Sequence, residues 1–166
     1  MRAAPRASRI RLLVLDVDGV LTDGGLVYRA SGEETKRFHV HDGFGRMGPL
    51  QAGLQIAVPS GRASAAVTRR LAELGVAEVH QGVTDKVAAL DSLRERLGLA
   101  AREVAVMGDD LPDLPAMARA GMALAPANAV REIKRIAHWI ARRGGGDGAV
   151  REAVEMLLKA RRSWPP

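Results

Sequence analysis

The stretch Ile10-Arg11-Leu12-Leu13-Val14-Leu15-Asp16-Val17-Asp18-Gly19 decides the fold. Ile10–Leu15 is a nearly continuous apolar run, rich in Leu and Val, that stops at an acidic residue. A strand buried on both faces reads this way, because neither side is left for water, and such strands belong to parallel sheets covered by helices. Further short strand candidates follow at Gln55–Val58, Glu78–His80, Val104–Met107 and Met122–Ala125, with a last edge strand in Ala137–Ile140. Between them, Ala63–Leu74, Lys86–Leu97 and Leu114–Ala120 carry apolar residues at helical spacing. Strand and helix in alternation predict βαβ units, hence an α/β, Rossmann-like parallel sheet flanked by helices.

One segment departs from the alternation. Leu26–Tyr28 and Thr35–Val40 flank Ala30-Ser31-Gly32, which predicts a β-hairpin projecting from the loop after the first strand. It is too small to form a cap domain. Ala149–Ala160 is amphipathic, and Gly144–Gly148 ahead of it reads as a flexible hinge. Residues 1–166 form a single domain without internal repeats, with 1–9 as a flexible leader and 144–166 as a C-terminal tail.

At 166 residues, 47% hydrophobic and 27% charged, the chain is long enough and apolar enough to enclose a core. Aromatics are only 3%, so Val, Leu, Ile and Ala must fill it. There is no cysteine, which excludes disulfides and thiolate metal sites and fits a reducing, cytoplasmic setting. A net charge of +6 invites a nucleic-acid reading, but the basic residues are scattered and no basic run is interleaved with stacking aromatics. An anionic small molecule is the better partner, with neither nucleic acid nor membrane implied. Met1–Arg9 lacks the apolar stretch of a secretory signal, and no apolar run approaches the ~20 residues of a membrane span.

In open parallel sheets ligands bind beyond the carboxyl ends of the strands. Asp16-Val17-Asp18-Gly19 follows the first strand, Ser60-Gly61-Arg62 the second, Lys86 opens the helix after the third, and Gly108-Asp109-Asp110-Leu111-Pro112-Asp113 follows the fourth. Carboxylates, a hydroxyl and a lysine thus converge on one rim. Clustered carboxylates repel unless a cation intervenes, and hard oxygen ligands favour Mg²⁺. A carboxylate can also attack phosphorus, splitting hydrolysis into two steps, while lysine and hydroxyl donors stabilise the phosphoryl oxygens. Alone, each motif has a plain alternative: Asp-x-Asp as a turn, Ser60-Gly61 as a helix cap, Lys86 as a solvated charge. Their order and common position favour the catalytic reading. His39 and His41 share one face of a predicted strand, which would allow a metal pair, but no third ligand accompanies them at suitable spacing.

These motifs resemble those of the haloacid dehalogenase superfamily of phosphatases. Leu21-Thr22-Asp23-Gly24, Gly32-Glu33-Glu34, Asp42-Gly43-Phe44-Gly45, Gln81-Gly82-Val83-x-Asp85-Lys86, Gly108-Asp109-Asp110-Leu111-Pro112-Asp113 and Gly145-x-x-Gly148-Ala149-Val150-Arg151-Glu152 are further similar to its capless 3-deoxy-D-manno-octulosonate 8-phosphate phosphatases. The resemblance spans roughly Ile10–Leu158. It implies Asp16 as nucleophile and metal ligand, and Asp18 as acid–base with its backbone carbonyl on the metal. It implies Asp109 as the third protein ligand, Asp110 or Asp113 orienting metal-bound water, and Ser60 and Lys86 holding the phosphoryl group. It places His39, His41, Asp42, Gly43, Gly61, Arg62 and Arg70, with Asp18 and Lys86, at the substrate, and Mg²⁺ as cofactor. It also implies a homotetramer in which the hairpin and the C-terminal tail close a neighbour's site, with Gly144–Arg151 as a mobile lid. Pro59, His41 and the Arg46-Met47 pair depart from the family pattern. Pro59 lacks an N–H, which predicts a rearranged strand end. Arg62 favours the eight-carbon substrate over a nonulosonate 9-phosphate, where related enzymes carry Glu. A non-catalytic phosphatase-like module, of the kind attached to sugar-acid cytidylyltransferases, is the competing reading; the full motif set argues against it.

Overall fold

The computed structural model describes residues 4–46 and 52–165. Its centre is a six-stranded sheet in the order β5-β4-β1-β6-β7-β8, parallel throughout. The strands are β1 Leu12–Leu15, β4 Gln55–Ser60, β5 Glu78–Gln81, β6 Val104–Met107, β7 Met122–Ala125 and β8 Trp139–Ile140. A separate hairpin pairs β2, Val27–Tyr28, with β3, Glu34–Thr35. The helices are α1 Ala4–Ala7, α2 Ala65–Glu73, α3 Lys86–Arg96, α4 Leu114–Arg119, α5 Arg131–Ile136 and α6 Ala149–Ala160.

Successive side chains of a strand point to opposite faces, so a strand of only apolar residues feeds two cores. Leu13 and Leu15 of β1 pack with Ile56, Val58, Met107 and Leu124 under α2 and α6, through Leu71, Val154 and Leu157. Leu12 and Val14 face the other way, toward Leu90 of α3, Met117 of α4 and Ile133 of α5. From β1 the chain winds outward to β4 and β5, then returns to β6 on the other side and winds to β7 and β8. The connections diverge between β1 and β6, and the crevice at their carboxyl ends is where such sheets bind ligands.

Several expectations are revised. Rather than breaking at Pro59, β4 runs to Ser60, in register with β5 (Pro59 with His80, Ser60 with Gln81). The Gln55 N–H donates toward β1, so by alternation the N–H that Pro59 lacks would also face β1, past the last paired residue, Ala57. The hairpin is shorter than predicted because pairing stops at Thr35 and Lys36 turns inward. His39 therefore does not share a strand face with His41, which opens a 3₁₀ helix over His41–Arg46. Instead of a loose leader, Ala4–Ala7 is a helical turn with Ala7 buried in the α6 core. Met47 lies outside the described residues.

The glycine segment is not a free hinge. Gly145, Gly146 and Gly148 are buried, and a Cβ on Gly145 would stand 1.9 Å from the Gly19 carbonyl oxygen and 2.7 Å from that of Thr22. Asn128 fixes the crossing, donating to Gly19 O at 3.0 Å and accepting from the Gly145 N–H at 2.6 Å. The tail beyond it is a core element of its own chain, with Val150, Ala153, Val154, Leu157 and Leu158 of α6 all buried. Because backbone cannot yield as a side chain can, Gly145→Ala is expected to cost about 3 kcal/mol. Gly144→Ala meets only the Asn128 side chain, at 3.3 Å, and should cost well under half of that; thermal unfolding of the pair checks it.

Candidate active site

The loops after β1, β4, β5 and β6 meet in a cleft of ≈ 500 Å³ lined by Asp16, Asp18, Ser60, Gly61, Arg62, Lys86, Asp109, Asp110 and Asp113. Asp16 is the first residue past β1, and its N–H donates to Met107 O of β6 at 3.1 Å, which sets the nucleophile candidate at the divergence of the sheet. Lys86 is the first residue of α3; the side chain of Asp85 caps that helix, accepting from the N–H groups of Val87 and Ala88 at 2.9 Å each. From there the Lys86 ammonium reaches Asp16 Oδ1 at 2.8 Å and Asp113 Oδ1 at 2.5 Å. Asp113 is buried, and its Oδ2 accepts from the Asp109 and Asp110 N–H groups at 3.1 and 3.5 Å, holding the β6 loop.

Carboxylate oxygens of Asp16, Asp109 and Asp113 lie within 4.8 Å of one another. Burial, then the charges of Asp16, Asp113 and Asp110, push the Asp109 carboxyl up to about 7 from its ordinary 3.8. Asp16 is also raised, by burial and by Asp113, against the pull of Lys86. Burial pulls the Lys86 ammonium down, but the charges of Asp16 and Asp113 outweigh it and the net shift is upward. Asp16 and Asp109, hard oxygen donors that both resist losing their protons, are groups that a divalent cation would relieve, and Mg²⁺ suits them. Gly19 makes this geometry possible. It takes φ +87°, and a Cβ there would stand 2.0 Å from Asp109 Oδ2.

The structure regroups the predicted residues. Asp16, Ser60, Gly61, Arg62, Lys86, Asp109, Asp110 and Asp113 come together as expected. The Asp18 side chain also lines the cleft, but it pairs with Lys36 (2.5 Å) and Arg62 (3.7 Å) rather than joining the carboxylate trio, leaving its carbonyl as the group the resemblance assigns to the metal. Asp113 stands in the trio itself, whereas Asp110 is exposed and caps the turn at Leu111.

His39, His41, Asp42, Gly43 and Arg70 do not line the cleft within one chain. The Asp42 carboxylate is committed elsewhere. It accepts from the Gly148 and Arg151 N–H groups at 3.2 and 2.8 Å, capping α6. Arg70 lies beyond the first turn of α2, against Gly43 and paired with Glu73. The His39 and His41 rings sit edge to face at 4.9 Å, with the His41 N–H donating to His39 Nδ1. Sequence reasoning gave no role to Lys36, Glu34, Tyr28 or Asn128. On an exposed hairpin, Lys36 reads as one more solvated charge, and only the fold shows otherwise.

A parallel sheet with an Asp-x-Asp loop at its divergence, a lysine on the first aspartate and a second acidic loop beside it defines a haloacid dehalogenase-like hydrolase. The family model of that description matches residues 72–152. The 3-deoxy-D-manno-octulosonate 8-phosphate phosphatase of Escherichia coli K12 is 42% identical over 155 residues, covering 93% of this chain and 82% of its own. The crystal structure of the enzyme of that name from Moraxella catarrhalis, in complex with magnesium, phosphate and KDO, aligns with a TM-score of 0.92 at 42% identity over 96% of this chain and 91% of its own. The cobalt-bound Haemophilus influenzae phosphatase aligns with a TM-score of 0.90 at 41% identity over 95% and 92%. The chain belongs to the 3-deoxy-D-manno-octulosonate 8-phosphate phosphatase family and is a phosphoric monoester hydrolase.

Proposed function

We propose that this enzyme hydrolyses 3-deoxy-D-manno-octulosonate 8-phosphate through an aspartyl-phosphate on Asp16, with Mg²⁺ held by Asp16, Asp109 and the Asp18 carbonyl. The observation that carries the reading is the largely covered Asp16 carboxylate, held by Lys86 beside Asp109 and Asp113 at the divergence of the sheet. When bound, the cation neutralises charge shared by the nucleophile and the phosphoryl oxygens. An Asp16 oxygen attacks phosphorus as the bond to the sugar oxygen breaks, and Asp18 gives that oxygen its proton. Asp18, now a carboxylate, takes a proton from water as the water oxygen attacks phosphorus; the bond to Asp16 breaks and phosphate leaves. Lys86 and Ser60 hold the equatorial oxygens throughout. Asp113 keeps Lys86 and the β6 loop in place, and Arg62 at the cleft rim meets the sugar acid.

The test is phosphate release, with and without Mg²⁺, from octulosonate 8-phosphate and a nonulosonate 9-phosphate. Release that needs Mg²⁺ and is faster from the eight-carbon substrate is expected. Preference for the nine-carbon substrate would reverse the weight given to Arg62, and no release from either would favour the silent module.

The working assembly is a homotetramer in the cytoplasm. Leu26, Val27, Tyr28 and Val40, on or beside the hairpin, are open to water in the single chain, which supports burial against a neighbour. In that tetramer His39, His41, Gly43 and Arg70 serve a neighbouring cleft. Among the described residues no helix is long and apolar enough to cross a membrane.

Asp109 links pH to both stability and metal. Its folded pKa, about 7, lies above the ordinary 3.8, so its contribution to stability is fully present below pH 3.8 and is lost as pH rises through 7. Protein stripped of divalent ions should therefore lose Tm across that window, and Mg²⁺ should reverse the loss. Binding Mg²⁺ displaces the proton, so apparent affinity should rise about tenfold per pH unit between roughly pH 5.5 and 6.5. Calorimetric titration without substrate reads this directly; an affinity flat with pH would remove Asp109 from the ligand set.

A further inference from the structure

We propose that Lys36 is a positioning residue that fixes which oxygen of Asp18 faces the reacting phosphate ester. The inference rests on the reading of Asp18 as acid–base given above. Lys36 lies one residue past β3, between Thr35 and Arg37, both exposed, yet its own side chain is 1% exposed. A lysine on a small hairpin can reach water at little cost, and burying its ammonium is unfavourable unless it is paired. Here it is paired twice, donating to Asp18 Oδ1 at 2.5 Å and contacting Glu34 Oε1 at 3.1 Å. Arg62 closes the set from the β4 loop, with Nη2 on Glu34 Oε2 at 2.5 Å and Nε 3.7 Å from Asp18 Oδ2. Two cations and two carboxylates thus alternate in a ring built from three chain segments: the β1 loop, the hairpin and the β4 loop.

The ring treats the two oxygens of Asp18 differently. Lys36 holds Oδ1 in a direct, covered contact, while Oδ2 pairs, among the described residues, with Arg62 alone, at a distance too long for a hydrogen bond. Oδ2 is therefore the oxygen left to exchange a proton with the leaving group and then with water. A carboxylate on a loop after a strand has two open side-chain torsions, and a small loss of aim at a proton-transfer atom is costly to rate. Lys36 touches neither substrate nor phosphorus and exchanges no proton; it acts through Asp18. The hairpin thereby contributes to chemistry as well as to assembly.

The test uses the Mg²⁺-saturated full chain in single turnover, with enzyme in excess, so that leaving-group release reports the first half-reaction alone. A sugar alkoxide needs Asp18's proton to leave, and a nitrophenolate does not. In Lys36→Met, sugar release is expected to slow roughly 10²-fold while nitrophenol release stays within about threefold of the unmodified enzyme. Partial misfolding scales both rates and cancels in their ratio. Lys36→Gln, which keeps a donor, should recover part of the ratio and carries the same comparison if Lys36→Met does not fold. An unchanged ratio in these variants, whether both rates fall together or neither does, overturns the proposal. Asp18→Asn run alongside separates the two levels: if it shows the leaving-group split and the Lys36 variants do not, only the Lys36 inference falls. Should Asp18→Asn itself show no split, the acid–base reading of Asp18 falls, and the role of Lys36 with it.

Discussion

Asp16→Asn is expected to reduce hydrolysis of sugar and aryl phosphates alike by roughly 10⁴-fold or more, because a nucleophile cannot be replaced by positioning. An aryl phosphate needs no leaving-group proton, so failure on that substrate isolates the attacking atom. The same substitution should leave the fold intact. The Asp16 carboxyl is already raised by burial and by Asp113, so exchanging it for an amide relieves repulsion within the trio. Lys86 keeps its second partner, Asp113, at 2.5 Å. A variant that is inactive yet melts no lower than its parent is the expected pairing; lost activity with lost stability would point to a structural role for Asp16.

Lys86→Met is expected to show the opposite pairing. Lys86, Asp16 and Asp113 are 13%, 14% and 4% exposed at their side chains, so removing the cation leaves two carboxylates covered and unpaired. Breaking a buried pair from one side costs about 3–5 kcal/mol, and Tm should fall accordingly. Turnover should drop about 10²–10³-fold, the scale of losing a preorganised charge at a developing oxyanion. Added Mg²⁺ should recover part of the stability, because it too neutralises the trio, but not the rate, because it cannot stand where the ammonium holds the phosphoryl oxygen. Recovery of both would reduce Lys86 to a counterion.

The sheet was legible because its strands declare themselves. Leu12–Leu15, Val104–Met107 and Met122–Ala125 are apolar throughout, each ended by an acidic, glycine or proline signal. The cleft residues followed, since position after a parallel strand is a statement about place. Two kinds of information were not available from pattern alone. One is short polar structure: α5, Arg131–Ile136, has only two apolar side chains and offers little periodicity. The other is long-range pairing. Nothing near Lys36 in the chain says that its ammonium meets Asp18, or near Asp42 that its carboxylate caps a helix 106 residues away. The glycine segment misled for a related reason: composition marks Gly145 as free, whereas its missing Cβ is what lets two backbones touch.

The central claim is a covalent bond between Asp16 and phosphorus. Asp18→Asn, lacking the base for the second step, should accumulate the phosphorylated enzyme when given an aryl phosphate and Mg²⁺. Quenching with borohydride reduces an acyl phosphate to the alcohol, and peptide mass spectrometry should then find homoserine at position 16. Homoserine at another aspartate, or a burst of leaving group with no modified residue, would contradict the account.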